Sequence, residues 1–517
     1  MIAYLLNIHF TTLEEKMVTF SMLRMVQKGN IITYFLILFS LFFFSLQIWL
    51  DRFFGVVDFE QFIIFLSFGA TGLLDSDDYI ITKFIQICFL LPLAGTLILF
   101  LISKSVHLFI NTTLINKILL IIKNKNIYIS FVLFIFSVLF FLKGISFEDF
   151  ILKNNRYDFI KDHYVEPNLN DFTDKKTKKN LVLIHVESLE DLLLDKNFLS
   201  KSAIDKFSFS EFDAKKIKKF KPIKYTNWTI GSIVATHCGI PQKPIGIIDT
   251  QKMKLNRNKP NKLGFAMKNF LPNAYCLGDL LKASQYKNIF INAVDLNFAA
   301  TGLFFVQHGY DEVIGKKYFE KSHYDYDSYT WGGGPHDSVL FDLAKEKIAE
   351  LNKNNDNFNI TILTTDTHDP GFVDNKCDTK TNTSHRRLNK ALICSSETLY
   401  KFVKYIQDNY SDNTVIVILG DHIYPGKINS NYLNDTVERN IYNRIISKDF
   451  SINRDLVNHY DMFPTILNLL NFSFKNNRLG LGYSVVNDTD IGNYNSYFKN
   501  LEENIQNKSD RYVEFWK

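Results

Sequence analysis

The 517-residue sequence predicts an α-helical membrane region followed by an extracytoplasmic α/β domain with a largely parallel sheet between helices. Three observations lead there. Apolar residues, 46% of the chain with 48 Phe among them, concentrate before about Gly144. From Asn180 onward, apolar β-rich runs alternate with helical stretches. Four distant stretches each end a strand or open a helix with a metal-ligand or nucleophile residue: Leu181 to Ser188 (LVLIHVES), Thr226 to Pro241 (TNWTIGSIVATHCGIP), Thr364 to Gly371 (TTDTHDPG) and Thr414 to His422 (TVIVILGDH).

The membrane region is read from span length, since crossing a bilayer takes roughly 20 residues of helix. Ile31 to Leu50, about Phe84 to Ile102 and about Ile127 to Leu142 qualify, the third being short and needing Lys125 and Lys143 to snorkel. Lys16, Arg24 and Lys28 precede the first span, and Lys104, Lys117, Lys123 and Lys125 lie between the second and third. The positive-inside rule makes both stretches cytoplasmic, so everything after Lys143 lies outside. A fourth apolar piece, Phe62 to Leu74, contains Gly69 and Gly72 and reads as interfacial or re-entrant, with a buried span as the alternative. The first span is too long for a signal-peptide core and lacks a cleavage site after it; Met17, Met22 or Met25 could be the true start. The expected organisation is a cytoplasmic segment over 1–29, three spans over 30–150, a linker over 151–179 that includes the run DKKTKK, and a catalytic domain over 180–517.

Charge and cysteine content narrow the partners and the compartment. A formal charge of +5 is small for this length and its Lys and Arg are interleaved with acids, which excludes a nucleic-acid-binding stripe. Of five Cys, Cys88 lies in the second span, while Cys238, Cys276, Cys377 and Cys394 fall in the outer region. Four Cys in an oxidising compartment suggest two disulfides. Three pairings are open, the nearest-neighbour one being Cys238 with Cys276 and Cys377 with Cys394; buried free thiols are the alternative.

Within the outer domain, LVLIHV, NIFINAV, FNITILTT and TVIVILG read as strands, and Ser338 to Asn352 and Cys394 to Asn409 as helices. Ligands gather beyond the carboxyl ends of such strands, where Glu187, Asp366 with His368, and Asp421 with His422 all fall. A strand-end Glu is an ordinary solvated carboxylate when alone, and His368 could be a loop residue. Adjacent Asp421 and His422 at the mouth of a buried strand are costly unless they bind something, and oxygen and imidazole donors suit a divalent cation. Thr229 needs a metal or base to act as a nucleophile. Thr226 or Asn227 is expected to cap its helix, with Gly231 and Ser232 keeping the first turn open for an anion.

These residues resemble a known group. The succession VES, WTIGSIVATHCGIP, CLGDLL, HGYDEV, TTDTHDPGF, LGDH, YDMFPTILNLL and LGLGYS, from about Asn180 to Val486, is similar to the lipoteichoic-acid synthase and phosphoglycerol transferase branch of the sulfatase and alkaline-phosphatase superfamily. Within that branch it is most similar to the osmoregulated-glucan phosphoglycerol transferases. The resemblance implies one divalent cation, manganese first with magnesium or zinc as alternatives, held by Glu187, Asp421, His422 and Thr229. It implies Thr229 as nucleophile and His368 as the group that contacts the phosphoryl and protonates the leaving oxygen. Trp331 and Asp337, in TWGGGPHDSVLF, would line the headgroup pocket. Ile423 to Gly426 departs from the lipoteichoic-acid enzymes.

The implied reaction takes a phosphoglycerol headgroup from phosphatidylglycerol, through a phosphothreonine, to an envelope glycan, at a multi-pass bacterial inner-membrane protein whose catalytic domain faces the periplasm or cell exterior. A phosphoethanolamine transferase shares the metal, the Thr and the membrane anchor. A sulfatase would need a Cys or Ser in a C/S-x-P-x-R context, which neither Cys238 nor Ser232 has. An inactive membrane-anchored module is the non-enzymatic alternative.

Overall fold

The computed structural model describes residues 31–53, 57–59, 62–63, 78–109, 126–151, 157–172, 179–243, 269–324, 326, 330–377, 387–425, 438–486 and 494–517. The 1–29 segment, 64–74 of the fourth apolar piece, Lys117, Lys123, Lys125, Gly426 and the DKKTKK run apart from Lys179 lie outside them. The chain divides into two compact units, one holding the apolar helices and the other running from Leu152 to Lys517, with Glu60–Asp78 assigned to it.

In the first unit, three helical stretches are long and apolar enough to cross a membrane: Ile31–Phe53, Ile81–Leu101 and Ile127–Gly144. Their few charged residues, Asp51 and Arg52, Lys83, and Lys143, lie at or near the ends, which leaves the middle of each stretch apolar. The first is helix α1 (Ile31–Phe53). The second starts before the expected Phe84: Asp78–Phe84 runs into a π-helical turn, Ile85–Leu90, and then into α2 (Leu91–Phe109). Pro92 follows that turn; its missing N–H breaks the regular ladder, and the Leu91 N–H reaches back to Gln86 O. The third, α3 (Asn126–Gly144), extends two residues past Leu142.

The second unit is an α/β sandwich. Its strands are β1 (Asn180–Val186), β2 (Lys287–Asn292), β3 (Glu312–Ile314), β4 (Phe358–Leu363), β5 (Thr414–Gly420) and β6 (Asn443–Ile446). They form one sheet in the order β3-β2-β4-β1-β5-β6, parallel except for the antiparallel edge strand β6. β1, β4 and β5 are buried along their whole length, which is why they read as unbroken apolar runs. Leu183 pairs with Thr361 on one side and Val417 on the other, so the carboxyl ends of β4, β1 and β5 emerge side by side.

Alternate residues of β1 face opposite layers. Val182 and Ile184 pack with Leu340 and Phe341 of α4 (Asp337–Lys353) and Leu392 and Phe402 of α5 (Arg387–Tyr410). Leu181 and Leu183 pack with Leu277 and Leu280 and with Met462 and Phe463 of α6 (His459–Leu469). The helix expected from Cys394 begins at Arg387, because Leu388 and Leu392 continue the apolar stripe by about two further turns and are buried.

The stretch expected to be a linker is part of the domain in its described portion. Phe159 and Ile160 join one core cluster, Phe172 joins another, and Val165 bridges Gly480. Three apolar anchors in an otherwise polar sequence dock it without any periodic pattern.

Candidate metal centre and nucleophile

The loops leaving β1, β4 and β5 carry the chemistry. Glu187 is the first residue beyond β1, and Asp421 and His422 are the first two beyond β5. One ligand atom from each of these three lies within 4.8 Å of the others, and all three are buried. His422 Nε2 stands 3.4 Å from Glu187 Oε1 and 3.5 Å from Asp421 Oδ2.

The loops are locked together through their backbones. The Ser188 N–H donates to Asp421 Oδ1 at 2.7 Å, and the His422 N–H donates to the same oxygen at 2.8 Å. The Glu187 N–H donates to Thr364 Oγ1, and the Thr367 hydroxyl donates to Glu187 O at 2.5 Å. Ser188 adopts a left-handed φ of 53°, costly for a non-glycine residue, and its hydroxyl donates to Glu187 Oε1. Gly420 is required for this convergence, since a Cβ there would sit 1.8 Å from Leu189 O.

Three features of this cluster fit a cation. Asp421 Oδ2 is fully buried and has no hydrogen-bond partner among the described residues, a placement that is expensive unless a positive charge meets it. The His422 Nδ1–H donates to Ile423 O at 2.9 Å, which leaves the Nε2 lone pair toward the carboxylates, the arrangement usual for a metal-ligating histidine. Burial, and then the charge of Glu187, push Asp421 up to about 7. Burial disfavours charge on His422, but the two carboxylates beside it outweigh that and raise its pKa. Crowded acids that resist ionisation together are what a divalent cation would relieve.

Thr229 opens a ten-residue helix, Thr229–Cys238. Its Oγ1 lies 3.5 Å from Glu187 Oε2 and 3.5 Å from His422 Nε2. The cap differs from expectation. Trp228 occupies the cap position without a side-chain cap, while the Thr226 hydroxyl is turned to Ile223. The first turn therefore keeps backbone N–H groups for an anion. Gly231 does not hold that turn open. Its missing side chain is replaced by the Trp228 indole, 2.3 Å from where a Cβ would be, and the Ser232 hydroxyl bonds back to Thr229 O.

His368 follows β4, and its ring stacks on the Trp331 indole with centroids 4.5 Å apart. The Trp331 Nε1–H is buried without a hydrogen-bond partner among the described residues. Asp337 is placed differently from expectation. It is 1% exposed, and its oxygens accept the Thr365 and Asp366 N–H groups, so it anchors the His368 loop instead of lining a pocket. Burial and the neighbouring Asp366 raise its pKa well above the carboxylate range. Asp366 in turn accepts from His336 Nδ1 at 2.8 Å. Ser188, Thr367 and His336 were not singled out by sequence reasoning; only their adjacency to the motif residues marks them.

The disulfides join Cys238 to Cys276 and Cys377 to Cys394, the nearest-neighbour pairing. The first ties the far end of the Thr229 helix. A second grouping, Cys276, Asp279 and His308, also has ligand atoms close together, but the Cys276 sulfur is spent in the disulfide. Asp279 there accepts from His308.

The sulfatase family profile matches residues 179–472. Phosphoglycerol transferase I of Escherichia coli O127:H6 is 29% identical over 367 residues, which are 69% of this chain and 44% of that protein. The chain thus spans less than half the length of the curated relatives it matches. Among solved structures it is similar to the lipoteichoic acid synthase LtaP from Listeria monocytogenes, at 18% identity and a TM-score of 0.43 over 62% of this chain and 80% of that one. It is also similar to the lipooligosaccharide phosphoethanolamine transferase EptA from Neisseria meningitidis, at 11% identity and a TM-score of 0.46 over 86% of this chain and 85% of that one. Because the family profile covers more than half of its 517 residues, the chain belongs to the sulfatase family.

Proposed function

We propose that this protein is a metal-dependent phosphoglycerol transferase that moves the headgroup of phosphatidylglycerol to a hydroxyl of an envelope glycan through a phosphothreonine at Thr229. The observation that carries the reading is the Thr229 hydroxyl at a helix N-terminus, equidistant from Glu187 and His422. Relatives named phosphoglycerol transferase I support the choice of headgroup.

Glu187, Asp421, His422 and Thr229 would hold one divalent cation, with manganese our assignment and magnesium or zinc the alternatives. A cation there supplies Lewis acidity and makes a neighbouring hydroxyl nucleophilic near neutral pH. In the first half-reaction Thr229 loses its proton to solvent and Oγ1 attacks the donor phosphorus. The bond from phosphorus to the diacylglycerol oxygen breaks, and His368 protonates that oxygen. In the second, a glycan hydroxyl attacks the same phosphorus, its proton passes to His368, the bond to Thr229 Oγ1 breaks, and Thr229 regains from solvent the proton it lost in the first. The backbone N–H groups at the start of the Thr229 helix receive the phosphoryl oxygens, and Trp331 supports the His368 ring by stacking on it.

Sulfate ester hydrolysis is disfavoured because Cys238 is bonded to Cys276 and is not followed by the Pro and Arg a formylglycine site needs. The three apolar helices suit a donor that stays in the bilayer; we place the protein in the bacterial inner membrane with the catalytic domain outside, 30–150 forming the membrane region and the catalytic domain starting near Asn180. Mass spectrometry after mixing the enzyme, labelled phosphatidylglycerol and an envelope glycan fraction tests the reading. Label appearing as glycerol phosphate on the glycan is the expected result, and diacylglycerol formation without transfer would overturn it.

A further inference from the structure

His368 and His422 come from loops after different strands, β4 and β5, so some contact between those loops must set their separation. β1 is tied to each of them through backbone hydrogen bonds at Glu187 and Ser188. The loops after β4 and β5 meet directly at Tyr424, whose hydroxyl donates to Asp369 Oδ1. Tyr424 stands two residues after His422, and Asp369 immediately follows His368.

Tyr424 is itself immobilised on both sides. Its N–H donates to Glu190 Oε1 at 3.2 Å, and its carbonyl accepts from Arg439 Nη2 at 2.8 Å. Glu190 is fully buried and paired with Arg439, whose Nε donates to Oε2 at 2.7 Å. A buried carboxylate with a bidentate guanidinium partner is rigid and costly to disturb. The tyrosine ring is 6% exposed, so its hydroxyl meets Asp369 in one orientation. On the other loop, the His368 Nδ1–H donates to Asp369 O at 3.1 Å, which makes Asp369 the residue that orients the imidazole.

We propose that Tyr424 is a positioning residue that fixes His368 relative to His422 through Asp369. This rests on the roles assigned above to those two histidines. Neither Tyr424 nor Asp369 touches the reacting atoms in this scheme. Their hydrogen bond sets how far the proton donor His368 stands from His422, and a misplacement of about 1 Å there costs up to roughly a hundredfold in rate.

The test compares the full-length protein loaded with manganese against Tyr424→Phe, Asp369→Ala and the double variant. Turnover and KM for diacylglycerol release are measured, together with amide hydrogen exchange over residues 366–372. Each single variant should lose roughly ten- to a hundredfold in kcat, with KM changed by no more than about twofold. The double variant should be no worse than either single one, because both break the same contact. Exchange over 366–372 should quicken in all three. Wild-type turnover in Tyr424→Phe, multiplied losses in the double variant, or unchanged exchange would each overturn the proposal. If the wild-type protein releases no diacylglycerol, the function proposed above fails, and exchange over 366–372 still decides for or against the Tyr424 tie.

Discussion

The Trp331 indole lies on the His368 imidazole, ring centroids 4.5 Å apart and planes 24° apart, while Phe298 meets the same indole edge-on at 4.8 Å. His368 is thus held on one face by a ring that is itself braced. The indole N–H, buried without a partner among the described residues, is a donor awaiting an acceptor. Trp331→Phe keeps the stack and removes the donor, and should cost about tenfold in kcat/KM, the worth of one hydrogen bond of roughly 1.4 kcal/mol. Trp331→Ala should cost more and should lower kcat as well, because His368 loses its support. Equal losses in the two variants would assign the whole effect to the N–H and none to the stack.

Thr229 is the only hydroxyl that stands 3.5 Å from both Glu187 and His422 among the described residues. Thr229→Ala should abolish headgroup release, by at least about a thousandfold, as loss of a nucleophile does. The helix it opens is held at its far end by the Gly239 N–H, which donates to Ala235 O, and by the Cys238–Cys276 bond, so the fold should survive. A circular-dichroism melt within a few degrees of wild type, beside absent turnover, is the expected pair of results. Wild-type-like turnover would remove the phosphothreonine from the mechanism.

Metal affinity should depend on pH in a definite direction. Asp421, pushed up to about 7 by burial and by Glu187, and His422, raised by the two carboxylates despite its burial, both hold protons in mildly acidic solution. A cation requires Asp421 ionised and His422 neutral, so binding releases protons and weakens as pH falls through about 7. Manganese Kd measured by calorimetry should rise at least about tenfold between about pH 7.5 and about pH 5.5. A constant Kd over that window would mean that these two residues are not the ligands.

The two disulfides close loops of 38 and 17 residues. On the chain-entropy account each contributes roughly 3–4 kcal/mol to the domain. Cys238→Ser combined with Cys276→Ser should lower the unfolding free energy by about that amount and should fray the end of the Thr229 helix, reducing activity beyond the loss of stability. Peptide mapping of native membranes without reductant should recover both pairs. Free thiols at all four positions would reject the outer placement of the domain.

How much of this was legible in advance differs by kind of residue. The runs before Glu187, Asp366 and Asp421 read as strands because a parallel sheet buried on both faces needs continuous apolar sequence, and chemistry in such sheets collects at the carboxyl ends. Position therefore marked Glu187, Asp421 and His422 as candidates, and the family resemblance joined them into one ligand set. Asp337 was not: its partners, the Thr365 and Asp366 amides, lie on another loop, and nothing periodic announces that pairing. Phe159, Ile160 and Phe172 were lost in a polar stretch for the same reason, each docking singly. Gly231 was visible as a glycine, but its cause, the Trp228 indole filling its side-chain space, exists only once the turn is folded.

The donor headgroup can be argued from which carboxylates remain available near His368. An ethanolamine headgroup presents an ammonium that calls for a carboxylate or an unoccupied aromatic face. Asp337 accepts two backbone N–H groups, Asp366 accepts from His336 and from the Asp337 N–H, and Asp369 accepts from Tyr424. One face of Trp331 is covered by His368. What this wall offers instead is the indole N–H, a donor suited to a glycerol hydroxyl or a phosphoryl oxygen. With phosphatidylglycerol and phosphatidylethanolamine present together in equal amounts, the glycerol lipid should be consumed at least about tenfold faster, as one satisfied polar group discriminates between ligands. Preferential consumption of phosphatidylethanolamine, with ethanolamine phosphate appearing on the acceptor, would overturn the choice of headgroup while leaving the roles of Thr229 and the three metal ligands intact.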